Sequence, residues 1–184
     1  MHLPQYTHYL SSVISGRTAS VGLTGTNTHA SIVLSEAFRA AHSSISILTT
    51  ATNINATLTT EVLNSCNRFM ERNRASLCIL LEGDDLTVEQ VAHLEKMLDR
   101  VKIRIVPSSI CRRYSFNLWL VDDVAYRFQE DRNSPIALVS GGLQARTQAA
   151  HLAKIFSHIK EISISIKKFR RISKSNKDRT KSDW

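Results

Sequence analysis

Residues 112–129 read Arg-Arg-Tyr-Ser-Phe-Asn-Leu-Trp-Leu-Val-Asp-Asp-Val-Ala-Tyr-Arg-Phe-Gln, and how they are read decides the fold. Two apolar, aromatic-rich runs, 118–121 and 124–128, flank Asp122-Asp123, the pattern of a β-hairpin closed by a tight acidic turn. Side chains alternate along a strand, so Phe116, Leu118 and Leu120 take one face while Ser115, Asn117, Trp119 and Val121 take the other. Asp122 ends the first strand.

Upstream of the hairpin, helical and extended patterns alternate. A helix is expected from Ser31 to about Ser43, with Ile32, Val33, Ala37, Phe38 and Ala41 inward and Glu36, Arg39 and His42 towards water. Residues 45–51 alternate as a strand, and residues 60–73 form a second helix capped by Thr59 or Thr60. The continuous apolar run 77–81 reads as a strand buried on both faces. Gly83-Asp84-Asp85 turns the chain, Thr87 caps a third amphipathic helix, and residues 102–106 make a strand ended by Pro107. Downstream lie a strand at 136–139, Ser140-Gly141-Gly142, and a helix over 144–162 with Ala149, Leu152, Ile155, Phe156 and Ile159 on its buried stripe. This is an α/β order, predicting a mixed, mostly parallel sheet flanked by helices.

The spacing Ser115-x-Asn117-x4-Asp122, in a strand followed by a turn, a second strand and a closing helix, resembles the His-x-Lys-x4-Asp motif of the phospholipase D-like superfamily. Two of the three polar residues are replaced. The similarity in element order covers residues 31–162 and implies a phospholipase D-like half-domain. In that family, as the resemblance implies, the His attacks the phosphorus of a phosphodiester, the Lys holds the non-bridging oxygens and the Asp supports the site. Two such motifs face each other, which implies a homodimer or a larger protein complex. Here Ser115 has no evident base beside it, and Asn117 carries no charge for an oxyanion. The resemblance therefore implies a lost phosphodiesterase: a catalytically inactive module, not an enzyme, that binds nucleic acid or a protein. Two other readings stay open, an active phosphodiesterase or nuclease with a diverged site that uses Ser115 or another residue, and a protein-interaction scaffold subunit. A mobile-element or antiviral defence setting suits a diverged nuclease-like domain.

A chain of 184 residues, 42% hydrophobic, supports one well-buried core plus a tail. The expected division is an N-terminal helix and Ser/Thr/Gly-rich segment (1–30), the α/β body (31–166) and a basic, disordered tail (167–184). Leu3, Tyr6, Leu10, Val13 and Ile14 fall at helical intervals after Pro4, and residues 20–23 suit a loop or a short strand. A phosphate-cradling Gly-x4-Gly-Lys motif is absent, since Val21 and Gly22 stand where Gly and Lys would have to be. Residues 162–166 alternate, suiting an edge strand or a continued helix. The net charge of +8 is concentrated in the tail, where Lys167, Lys168, Arg170, Arg171, Lys174, Lys177, Arg179 and Lys181 oppose Asp178 and Asp183, a net +6. Such an arm attracts DNA or RNA by counterion release.

No apolar run approaches the ~20 residues a bilayer crossing needs, and the start of the chain lacks a leader pattern, so a cytoplasmic protein is expected. Cys66, Cys78 and Cys111 have no Cys-x-x-Cys spacing and read as buried, reduced thiols. His151 and His158 lie two turns apart on one helix, and His29, His42 and His93 lack partners at ligand spacing. Asp84-Asp85 and Glu130-Asp131 read as solvated turns. No metal or cofactor is expected.

Overall fold

A computed structural model describes residues 3–18, 21–84, 86–98, 100–134 and 136–182. Ser20 of the expected short strand and Asp85 of the acidic pair lie outside the described residues. The elements in order are α1 (Leu3–Ile14), β1 (Val21–Thr24), α2 (Asn27–Ala40), β2 (Ser44–Thr49), α3 (Ala51–Thr57), α4 (Thr60–Met70), β3 (Ser76–Glu82) and α5 (Val88–Met97). They continue with β4 (Lys102–Val106), α6 (Ser108–Cys111), β5 (Asn117–Val121), β6 (Ala125–Gln129), β7 (Ala137–Ser140), α7 (Leu143–Ile162), β8 (Ile164–Ser165) and α8 (Ile166–Ser182).

Local chemistry sets most of these boundaries. The hydroxyls of Thr26, Thr50, Thr59 and Thr87 each accept a backbone N–H in the first turn of α2, α3, α4 and α5. At Thr87 the Gln90 side chain also accepts from the cap N–H, completing a capping box. The α2 helix starts before Ser31 because Thr26 is its cap, and α3 has no periodic apolar stripe long enough to announce it.

The strands form one sheet in the order β1-β7-β6-β5-β2-β3-β4-β8. Parallel pairing is confined to β2–β3 and β3–β4; β1–β7, β7–β6, β6–β5, β5–β2 and β4–β8 are antiparallel. The parallel share is smaller than expected because only the two connections carrying α4 and α5 cross over, whereas the hairpin and its neighbours fold straight back. Helices cover both faces. On one, Leu10 and Val13 of α1, Leu34 and Phe38 of α2, Val62 and Phe69 of α4 and Val91 and Leu94 of α5 share a core with Ile47, Ile79 and Trp119. On the other, Leu152, Phe156 and Ile159 of α7 pack on Leu80, Leu118 and Leu120. The alternation expected for 116–121 is therefore observed.

Two expectations are corrected. Glu36 does not face water but is buried in a helix that packs against both α4 and α1; it pairs with Arg39, which also reaches Glu61 of α4 at 2.6 Å. The tail, expected to be a disordered arm, is helical as α8. Its composition hides a stripe, Ile166, Phe169 and Ile172, at three-residue spacing; Ile166 and Phe169 pack against the core, and Arg170 pairs with Glu95 of α5 at 2.5 Å. Partial burial of Ile166 and Phe169 anchors the start of α8 on the body, while Ile172 is exposed.

The turn between β7 and α7 needs glycine. A Cβ on Gly141 would lie 2.2 Å from the Val13 carbonyl oxygen, so only glycine lets the turn meet the end of α1.

Candidate phosphate-binding site

The hairpin aligns Asn117 with Gln129, Trp119 with Arg127 and Val121 with Ala125. Asp122 and Asp123 have φ of 48° and 54°, and Val124 N–H donates to the Val121 carbonyl at 3.0 Å. Positive φ at both Asp122 and Asp123 is the mark of a type I′-like turn, and the register leaves three residues, Asp122 to Val124, between the paired Val121 and Ala125.

The three motif positions go to three different environments. Ser115 precedes β5 and is exposed. Asn117, the first residue of β5, is 1% exposed, and neither its Oδ1 nor its Nδ2 has a partner among the described residues. Asp122 lies at the far end of the strand, about 17 Å from Asn117 at ~3.4 Å per residue. It accepts from the backbone N–H groups of His42 (2.5 Å), Ser43 (2.9 Å) and Ser44 (2.7 Å) and from the Ser43 hydroxyl (2.9 Å). Burial raises the Asp122 carboxyl, but these donors together outweigh it and hold the group below the usual carboxylate range. Asp122 ties the α2–β2 connection to the hairpin turn.

Around Asn117 is a cavity of about 30 Å³, lined among others by Thr49, Asn53, Trp119, Arg127 and Gln129. Arg127 is only 5% exposed. Its guanidinium carbon lies 4.4 Å from the centre of the Trp119 ring, a cation–π stack. Its Nη1 donates to Gln129 Oε1 at 3.1 Å, while Gln129 Nε2 donates to the Ser134 carbonyl. Arg127 Nε has no partner and, among the described residues, no carboxylate pairs with the guanidinium. Burial lowers its pKa to about 10, so it is still a cation at neutral pH. Trp119 Nε1 is a further buried donor without a partner. A buried cation with unused N–H donors and no counter-charge is chemically an anion receptor. At about 30 Å³ the cavity is too small for a ring system and has room for one or two oxygen-sized atoms.

Asn53 also lines a larger cavity, of about 290 Å³, at the ends of β2 and β3. Glu82, 1% exposed, is the last residue of β3; Arg132 pairs with its Oε2 and donates to the Cys111 carbonyl at 3.0 Å. Desolvation raises the Glu82 carboxyl to about 7 despite Arg132, with the Asp84 charge adding to the rise.

Of the basic tail residues, Lys167, Lys168, Arg170, Arg171 and Lys174 are exposed on α8; the side chains of Lys177, Arg179 and Lys181 lie outside the described ones. The three cysteines are free and buried, and burial pushes the Cys66 thiol up to about 11. His151 and His158 are exposed, and no cluster able to hold a metal occurs among the described residues. None of the described helices is long and apolar enough to cross a membrane.

Arg127, Trp119, Gln129, Glu82 and Arg132 are not singled out by sequence reasoning. The available signals are a charged residue between the aromatics Tyr126 and Phe128, on the same alternation as Gln129, and a Glu closing an otherwise apolar strand.

No family model matches the chain, and no curated protein does. Solved structures do. NucT from Helicobacter pylori superposes with a TM-score of 0.54 at 10% identity, over 79% of this chain and 98% of that one. Nuc from Salmonella typhimurium, a phospholipase D family member, gives 0.54 at 11% identity, over 79% and 97%. The fold is phospholipase D-like. The archaeal chromatin protein TrmBL2, whose structure shows a novel mode of DNA binding, gives 0.53 at 14% identity over 79% of this chain, which spans 55% of TrmBL2. In this phospholipase D-like sheet, Asn117 is the first residue of β5.

Proposed function

We propose that the protein is a catalytically inactive phospholipase D-like module that holds nucleic acid by its phosphates. The observation that carries this reading is Arg127: a buried guanidinium stacked on Trp119 with no carboxylate partner among the described residues, in a cavity with Asn117, Thr49 and Gln129. A phosphodiester oxygen would supply the missing counter-charge and accept from donors that otherwise remain unsatisfied. The same cavity, among its described lining residues, has no imidazole, thiol or carboxylate to act as nucleophile or base. Ser115, the nominal nucleophile position, is exposed and outside this cavity. The exposed cations of α8 add a second, sequence-independent attraction. A homodimer, as the resemblance implies, would present two such cavities to one strand, and sedimentation of the purified chain distinguishes monomer from dimer.

The test is fluorescence anisotropy with a single-stranded oligonucleotide at two salt concentrations. Arg127→Met is expected to weaken binding about tenfold, the value of a charge-assisted hydrogen bond. Replacing Lys167, Lys168, Arg171 and Lys174 by serine flattens the salt dependence, by ~0.7 in slope for each phosphate that is no longer neutralised. Wild-type protein releases no nitrophenol from bis-nitrophenyl phosphate; turnover abolished by Ser115→Ala would overturn the inactivity.

A further inference from the structure

The larger cavity beside the Arg127 site contains an oddity of its own. Glu82 is almost fully buried, Arg132 occupies Oε2, and Oε1 has no hydrogen-bond partner among the described residues. A buried carboxylate oxygen left unpaired is costly, and the deficit is removed by a ligand N–H donor. The wall is held in place: Arg132 is fixed by Glu82 and by the Cys111 carbonyl, its own carbonyl accepts from Asn53 Nδ2 at 3.3 Å, and Asn133 N–H donates to Asp131 Oδ1 at 2.9 Å. Among the described lining residues Glu82 and Asp84 oppose Arg132, an excess of one negative charge once Glu82 is ionised above its pKa of about 7. A second phosphate is therefore disfavoured here, and a donor-bearing group is favoured.

Size and position narrow the ligand. At about 290 Å³ this cavity is roughly ten times the volume of its neighbour, and Asn53 borders both. It lies where the parallel strands β2 and β3 end, the side of such sheets on which ligands collect. We propose that this cavity takes a nucleobase bearing an exocyclic amine (cytosine, adenine or guanine, in preference to thymine or uracil), with Glu82 Oε1 accepting the amine N–H. The inference rests on the nucleic-acid reading above and adds base preference to it. An acidic acceptor facing an amine is the pairing expected between a carboxylate and cytosine N4.

The experiment measures anisotropy at pH 8, where Glu82 is largely ionised, with (dC)6, (dT)6 and a (dC)6 in which every base is N4,N4-dimethylcytosine. Wild-type protein binds (dC)6 about tenfold more tightly than (dT)6, the value of a hydrogen bond to a charged group, and dimethylation removes the advantage. Glu82→Gln keeps the shape and lowers (dC)6 affinity to the (dT)6 level without weakening (dT)6. Equal wild-type affinities for all three oligonucleotides overturn base selection while leaving phosphate binding intact, and this comparison needs no variant to fold. A preference for (dC)6 that survives dimethylation also overturns it. Absence of binding to any oligonucleotide overturns both this inference and the nucleic-acid reading.

Discussion

The two ends of the β5–β6 hairpin carry polar residues of one sequence frame and treat them in opposite ways. At the turn, Asp122 accepts four hydrogen bonds and leaves nothing over for a ligand. At the open end, Asn117 and Arg127 are as buried as core residues, and part of their hydrogen-bonding capacity is unused. A satisfied polar group contributes to folding, whereas an unsatisfied one costs folding energy unless something outside the chain completes it. The turn end is thus built for stability, and the open end is where the proposed ligand would complete unused donors. Asp122 belongs to the first, not to the second.

The comparison is broken most directly at the turn. Asp122→Ala strips the acceptor from three backbone N–H groups and a hydroxyl, and is expected to destabilise the fold by about 2–3 kcal/mol in urea unfolding, the range for hydrogen bonds to a charged group. Oligonucleotide affinity, extrapolated to fully folded protein, should not change. A loss of affinity without loss of stability would reverse the roles assigned to the two ends.

Asn117→Leu makes the opposite cut. It replaces an unpartnered buried amide by an apolar side chain of similar volume, so stability is expected to hold or rise by up to about 1 kcal/mol while binding falls. A marked loss of stability would mean that the amide is satisfied within the fold.

The smallest effect expected is in the acid limb of the stability curve. Asp122 has its pKa lowered in the folded state, so its contribution is complete above the ordinary carboxylate value of about 3.9 and is lost as the pH falls through the lower folded value. Asp122→Asn should flatten the pH dependence of stability below about pH 4, and Asn117→Leu should leave it as it is in the wild type.

Much of this architecture is legible in the sequence because its signals are local. The Asp-Asp turn, the threonine caps at Thr59 and Thr87 and the two-sided apolar run of β3 are each decided by residues a few positions apart. The candidate site is less legible, because it is made across strands. Asn117 meets Arg127 and Gln129 only after the hairpin closes, and Glu82 comes next to Arg132 only when β3 and the segment after β6 are brought together. The burial of Glu36 and the order of α8 escape sequence reading for a related reason. Whether a charged face meets water depends on which helix lies over it, and a sequence window of one helix does not contain that neighbour.

The outermost strand, β1, has one partner among the described strands, β7, and the residues joined by the Thr24 hydroxyl and the Ala137 carbonyl are 113 positions apart. At a synthesis rate of ~5–20 residues per second, roughly 6–23 s separate the emergence of these two segments from the ribosome. Throughout that interval Val21 and Leu23 have no strand to lie beside, and both remain largely exposed even afterwards. Until β7 emerges, the nascent chain therefore carries an apolar β-segment without a partner strand, the kind of segment that seeds aggregation when chaperones are scarce.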